Sequence, residues 1–105
     1  MPNVASLPDL VLYARPGCSL CDEARDAIDA VLGDRLERGL AVPAVVERNI
    51  EDDPELHRAL LARIPVVELG AQRVELIVSI GKLRRLLNET LGAVADRAPE
   101  VPAET

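Results

Sequence analysis

The stretch LVLYARPGCSLCDEARDAI, Leu10 to Ile28, decides the fold. It opens on five apolar residues, Leu10 to Ala14, the mark of a short strand buried on both faces. Arg15-Pro16-Gly17 breaks that run. From Leu20 the period becomes helical: Leu20, Ala24, Ala27, Ile28, Val31 and Leu32 share one face, and Asp22, Glu23, Arg25, Asp26 and Asp29 share the other. Gly33 is the expected stop of this helix. Two cysteines, Cys18 and Cys21, sit where strand gives way to helix, and the chain has no others.

Working outward, Asp34 to Pro43 reads as a loop with a last turn of helix around Leu36, and Ala44 to Asn49 as a second strand. Asp53-Pro54-Glu55 starts a second helix, with Asp53 as N-cap, Pro54 in the first turn and Leu56, Ala59, Leu60 and Leu61 as its apolar face. Val66 to Leu69 and Arg73 to Val78 are two strands joined so closely at Gly70-Ala71 that they form an antiparallel hairpin. Ser79 caps a last helix whose buried stripe is Ile80, Leu83, Leu86, Leu87 and Leu91, ended by Gly92. The order β-α-β-α-β-β-α predicts an α/β domain, a four-stranded mixed sheet flanked by helices. Residues 1–92 form the expected single domain, and 93–105, with two prolines and three acids, an expected flexible tail.

Composition bounds the function. A chain of 105 residues suits one domain with a modest core. Its single aromatic, Tyr13, leaves that core to Leu, Ile, Val and Ala and offers no stacking platform for single-stranded nucleic acid. Twelve basic residues against eighteen acidic give a net charge of −6, which opposes binding to phosphate backbones and anionic lipid. No apolar run approaches the roughly twenty residues needed to span a bilayer, and no secretory leader is visible. The expectation is a cytoplasmic monomer without nucleic-acid or membrane partners. The excess of eleven Arg over one Lys hints at a G+C-rich genome.

Two cysteines three residues apart cannot staple distant segments, so three readings compete. They are redox chemistry, half of a metal site, or inert packing. Zinc usually takes four ligands, and only His57 and carboxylates remain to complete a set, so no metal is expected. Packing alone fits poorly at a helix start behind a Pro-Gly break. Redox chemistry fits well, because unpaired N–H groups and the positive helix end favour an anion at Cys18, by about 0.3–1 kcal/mol for the dipole alone. Arg15 adds a positive charge three residues upstream. An exposed Cys18 thiolate attacks a disulfide, and Cys21, one turn inside, resolves the mixed disulfide.

The segments YARPGCSLCDEARDAI, NIEDDPELHRAL and RIPVVEL resemble the glutaredoxin-like branch of the thioredoxin superfamily, in particular its small bacterial members, over about Leu10 to Leu91. The resemblance implies a thioredoxin-like fold and a thiol-disulfide oxidoreductase, with Cys18 attacking and Cys21 resolving. It implies that Arg15 is the basic residue beside the attacking sulfur and that Pro65 is a cis-proline facing the cysteines. Ile64 before it would pair its backbone with substrate. Pro16 and Gly17, by their small bulk, keep the approach to Cys18 open, so that Arg15, Pro16, Gly17, Ile64 and Pro65 are the expected substrate-binding residues. Expected partners are a disulfide-bearing protein or small thiol and a reductant. No cofactor is expected beyond a reducing co-substrate such as glutathione or another low-molecular-weight thiol. The alternative is a non-catalytic binding module of the same fold, or a protein that bridges a metal or iron–sulfur cluster through Cys18. The chain also departs from the family. Ser19-Leu20 stands where glutaredoxins commonly have Pro-Tyr, the buried thioredoxin acid falls at Leu12, and Val74 to Gly81 lacks the paired glycines that hold glutathione. The resemblance therefore carries fold and motif further than substrate.

His57, the sole histidine, reads as a partly exposed helix residue. Glu51-Asp52-Asp53 is explained by capping, and Arg84-Arg85 by a solvated face.

Overall fold

The computed structural model describes residues 7–92. The expected flexible tail, 93–105, lies outside the described residues. Among the described residues, four strands and three helices follow one another as β1 (Leu10–Ala14), α1 (Ser19–Glu37), β2 (Val45–Asn49), α2 (Pro54–Leu60), β3 (Val66–Leu69), β4 (Gln72–Glu75) and α3 (Ile80–Leu91), with a 3-10 turn at Ile50–Asp52 between β2 and α2. The sheet order is β2-β1-β3-β4. β1 and β2 run parallel, with α1 as their crossover, and β3 and β4 are antiparallel to their neighbours.

β1 lies at the centre, and its faces differ. Leu10, Leu12 and Ala14 are buried, whereas Val11 and Tyr13 are half-buried. The strand expected to be buried on both faces is thus fully covered on one only, the side on which α1 and α3 pack together. On the other, Tyr13 donates a hydrogen bond from its hydroxyl to Glu68 Oε1 (3.1 Å), and the Arg48 guanidinium lies 5.8 Å from the centre of its ring. Burial, then the bond to Glu68, pushes the Tyr13 phenol above its ordinary pKa. The core is aliphatic, with Leu10, Leu12, Ile50, Leu69, Leu83 and Leu87 sealed from solvent.

Helix ends follow local chemistry, with one correction. Asp53 caps α2, Oδ1 accepting from Glu55 N–H at 2.9 Å, with Pro54 in its first turn. Ser79 caps α3, and Gly92 ends it. α1 does not stop at Gly33 but runs to Glu37. Gly39, at φ 73°, supplies the left-handed residue instead: its N–H bonds the Leu36 carbonyl, and Leu40 N–H bonds that of Arg35, the two bonds of a Schellman motif. The loop expected from Asp34 accordingly begins only beyond α1.

The added turn of α1 is held by Arg35, which is only 3% exposed. Its guanidinium donates to the carbonyls of Ala41 (2.7 Å) and Gly92 (2.9 Å) and to Asn88 Oδ1 (3.1 Å), tying the ends of α1 and α3 to the loop before β2. Burial, and the Arg38 charge after it, push this group below its ordinary pKa.

Other differences are smaller. β2 begins at Val45 rather than Ala44 and is an exposed edge strand. β4 spans Gln72–Glu75 instead of Arg73 to Val78. Leu20, Ala59, Leu61 and Ile80, expected on buried helix faces, are exposed.

Candidate functional site

The parallel pair β1–β2 and the antiparallel pair β1–β3 bring three segments to one end of the sheet. β1 ends at Ala14 and hands the chain to a turn with Pro16 and then Gly17, whose φ of 75° suits glycine. Both residues are exposed. Cys18 follows as the N-cap of α1, in extended conformation. Its sulfur takes the place of a capping oxygen and accepts a hydrogen bond from Cys21 N–H at 3.1 Å. That N–H and the positive end of a 19-residue helix both present positive charge to this sulfur.

The two cysteines differ in access. Cys18 is half-buried, while Cys21, one turn into α1, has no exposed surface and belongs to the core. Their Cα atoms are 5.2 Å apart and their sulfurs are joined as a disulfide. The pair can exchange two electrons within one turn of helix. A reagent reaching it from solvent meets Cys18 first.

Pro65 closes the same end. Tyr13 pairs with Val66, so Pro65 lies beside Ala14, where the chain turns toward Cys18. The Ile64–Pro65 bond is cis, and both residues are buried. Ile64 donates its N–H to the Leu60 carbonyl at 3.0 Å, which leaves its carbonyl without a backbone partner among the described residues. Arg15, half-buried, stands 4.0 Å from Glu51 Oε2 of the 3-10 turn. With Ala14, Pro16, Arg25, Glu47 and Asn49 it lines a small hollow of about 120 Å³ beside the Pro16-Gly17 turn. Within it Arg25 is committed to Glu47 through a bidentate pair at 2.6–3.1 Å, and this hydrogen bonding holds the Glu47 carboxyl below its ordinary pKa.

The structure thus gathers Arg15, Pro16, Gly17, Cys18, Cys21, Ile64 and Pro65 at one end of the sheet. It adds Leu76 and Ile77, expected within a longer β4 but lying beyond its end at Glu75. Leu76 N–H is shared between the carbonyls of Pro65 (2.9 Å) and Arg63 (3.1 Å), and Ile77 N–H bonds the Glu75 carbonyl at 2.8 Å. That three-residue turn holds Leu76 at φ 67°, a conformation costing about 1–3 kcal/mol for a bulky residue. No sequence signal announces it, because the position carries leucine where a turn of this hand favours glycine or asparagine.

Other candidates lie apart. His57 is half-buried and, with Glu51, Pro54 and Arg58, lines an open hollow on α2. Among the described residues, no group of three or more His, Cys, Asp and Glu side chains is placed to hold a metal ion, and no helix is long and apolar enough to cross a membrane.

The profile of the glutaredoxin-like domain family (DUF836) matches residues 9–89, which include every residue of this site. The chain belongs to that glutaredoxin-like family. The fold is thioredoxin-like, as the resemblance implied. Among solved structures, a structural-genomics target protein from X. campestris is 27% identical, with a TM-score of 0.62 over 76% of this chain and 96% of that one. A malarial protein shares the fold at 14% identity and a TM-score of 0.59, covering 82% of this chain and 99% of its own. No curated protein matches the chain. Family and geometry together fit a thiol redox role for Cys18 and Cys21.

Proposed function

We propose that this glutaredoxin-like protein is a dithiol oxidoreductase that reduces disulfides of proteins or small thiols in the cytoplasm. One observation carries the reading: a half-buried Cys18 capping α1 and a sealed Cys21 within bonding reach of it. The Cys18 thiolate attacks one sulfur of a substrate disulfide, forming a mixed disulfide and releasing the other sulfur as a thiolate. Cys21 then attacks the Cys18 sulfur. The second substrate thiol leaves, the proton of Cys21 departs with the released thiols, and Cys18–Cys21 closes as a disulfide. Two electrons have passed to the substrate, and an external thiol or a reductase restores the dithiol. Arg15, Pro16 and Gly17 border the attacking sulfur, and Ile64 and Pro65 support the incoming chain, with the Ile64 carbonyl as acceptor. The protein works as a monomer and needs no bound cofactor.

Trapping tests the roles. With Cys21→Ser, a disulfide substrate accumulates as an adduct on Cys18, visible as a mass increase that dithiothreitol removes. With Cys18→Ser, no adduct accumulates on Cys21. Equal trapping by both variants, or by neither, overturns the assignment.

A further inference from the structure

The end of the sheet that carries Cys18 also carries large aliphatic side chains turned to solvent. β4 ends at Glu75 beside Val66, and Leu76 is tied directly to the Pro65 carbonyl. The strained turn at Leu76 leaves it 46% exposed and Ile77 55% exposed, while Val78 returns to the core at 7%. Glycine or asparagine would suit the turn better than Leu76, and a polar residue would suit solvent better than Ile77. Two helices add to the same end. α1 departs from the end of β1 and α3 follows the end of β4, so their first turns lie there together. Those turns present Leu20, between the two cysteines, at 38% exposure and Ile80 at 42%.

We infer that Leu76, Ile77, Ile80 and Leu20 form an apolar rim that docks an extended polypeptide whose own cystine is flanked by apolar residues. The preferred substrate is then a protein disulfide rather than the disulfide of a small anionic thiol. This rests on the dithiol reading above. Continuity selects the occupant: a sulfur brought to Cys18 carries its neighbouring residues over the same end of the sheet, past Pro65 and Leu76. Charge points the same way. On these four aliphatic side chains a small thiol bearing two carboxylates finds nothing to pair with; Arg15, at the same end, already stands 4.0 Å from Glu51, and the chain carries a net charge of −6. Apolar residues flanking a cystine gain by leaving water against this rim.

The test compares the reduced protein's rate constants for two oxidants: a synthetic peptide with leucine and valine on either side of its cystine, and glutathione disulfide. The wild-type protein is expected to prefer the peptide. Ile77→Ser, and separately Ile80→Ser, is expected to lower the ratio of peptide to glutathione-disulfide rates by about fivefold to tenfold, since each removes most of an exposed aliphatic side chain. An unchanged ratio, or a wild-type preference for glutathione disulfide, overturns the docking proposal. So does loss of a dimer in Ile77→Ser by sedimentation with the ratio unmoved, which assigns the rim to a second copy of the chain. Oxidation by an excess of 2-hydroxyethyl disulfide, a small uncharged linear oxidant, separates the two levels. If Cys18–Cys21 forms there and the ratio is unmoved, docking alone fails; if it never forms, the dithiol reading fails with it.

Discussion

Replacing Arg35 with methionine keeps a long stem in the core but removes three charge-assisted hydrogen bonds, to Ala41, Asn88 and Gly92. Hydrogen bonds to charged groups contribute about 1.5–3 kcal/mol each, so loss of all three sets an upper bound well above half the stability of a domain this size. Two effects reduce it. The guanidinium's own desolvation, several kcal/mol for a buried ion, is no longer incurred. Asn88, Gly92 and Ala41 are only half-buried, so water reaches their freed acceptors. The net loss expected for Arg35→Met is about 2–3 kcal/mol. At a urea slope of about 1.5 kcal/mol/M this lowers the unfolding midpoint by about 1.3–2 M with the slope unchanged. Arg35→Lys keeps the charge but not the three-way fork and falls between the two. Arg35 lies fourteen residues beyond Cys21, about 21 Å along the helix axis, so the folded variant should form the Cys18–Cys21 disulfide as readily as the parent. A midpoint for Arg35→Met within about 0.3 M of the parent, far less than the expected shift, would refute the claim that this residue holds the last turn of α1.

Three further substitutions test local structure by the same unfolding measurement. Gly33, inside α1 with open space at its absent Cβ, should accept alanine with a gain of about 0.5–1 kcal/mol. Gly39→Ala should lose about 1–2 kcal/mol, because φ 73° is costly for any residue with a Cβ; equal effects at the two positions contradict the assigned helix end. Glu47→Gln should lose about 0.2–1 kcal/mol at pH 7, the range for an exposed ion pair. Arg25 holds the folded pKa of Glu47 below the ordinary 4.5, so this pair's stabilisation is full above pH 4.5 and lost as pH falls through the lower folded value. The deficit of Glu47→Gln should therefore vanish in acid; a deficit that persists there assigns the effect to packing.

What was legible in the sequence was what neighbouring residues decide. Leu10–Ala14 declared a strand through unbroken apolarity, and Asp53-Pro54 and Ser79 marked helix starts because capping is a bond to the next turn. The cysteine pair was placed by the same junction of strand, turn and helix. The rest depended on distant partners. Gly33 and Gly39 are equally good local stops, and what favours the second is Arg35 reaching Asn88 and Gly92, more than fifty residues away. The end of β4 is set by Leu76 N–H meeting the Pro65 and Arg63 carbonyls, a contact that no propensity of leucine encodes. The two faces of β1 are told apart by which helices cover them. The cis bond at Pro65 followed from family resemblance, since an X-Pro bond read alone is expected trans.

The central claim is that Cys18 and Cys21 form one reversible two-electron couple entered through Cys18. Equilibrating the protein across redox buffers that run from dithiothreitol to the more oxidising glutathione couple, alkylating the free thiols at each step and locating the labels by mass, tests this most directly. A single transition is expected, in which both labels vanish together, and in the fully reduced protein a brief pulse of reagent should label Cys18 well before Cys21. Thiols that persist at every ratio, or earlier labelling of Cys21, would contradict it.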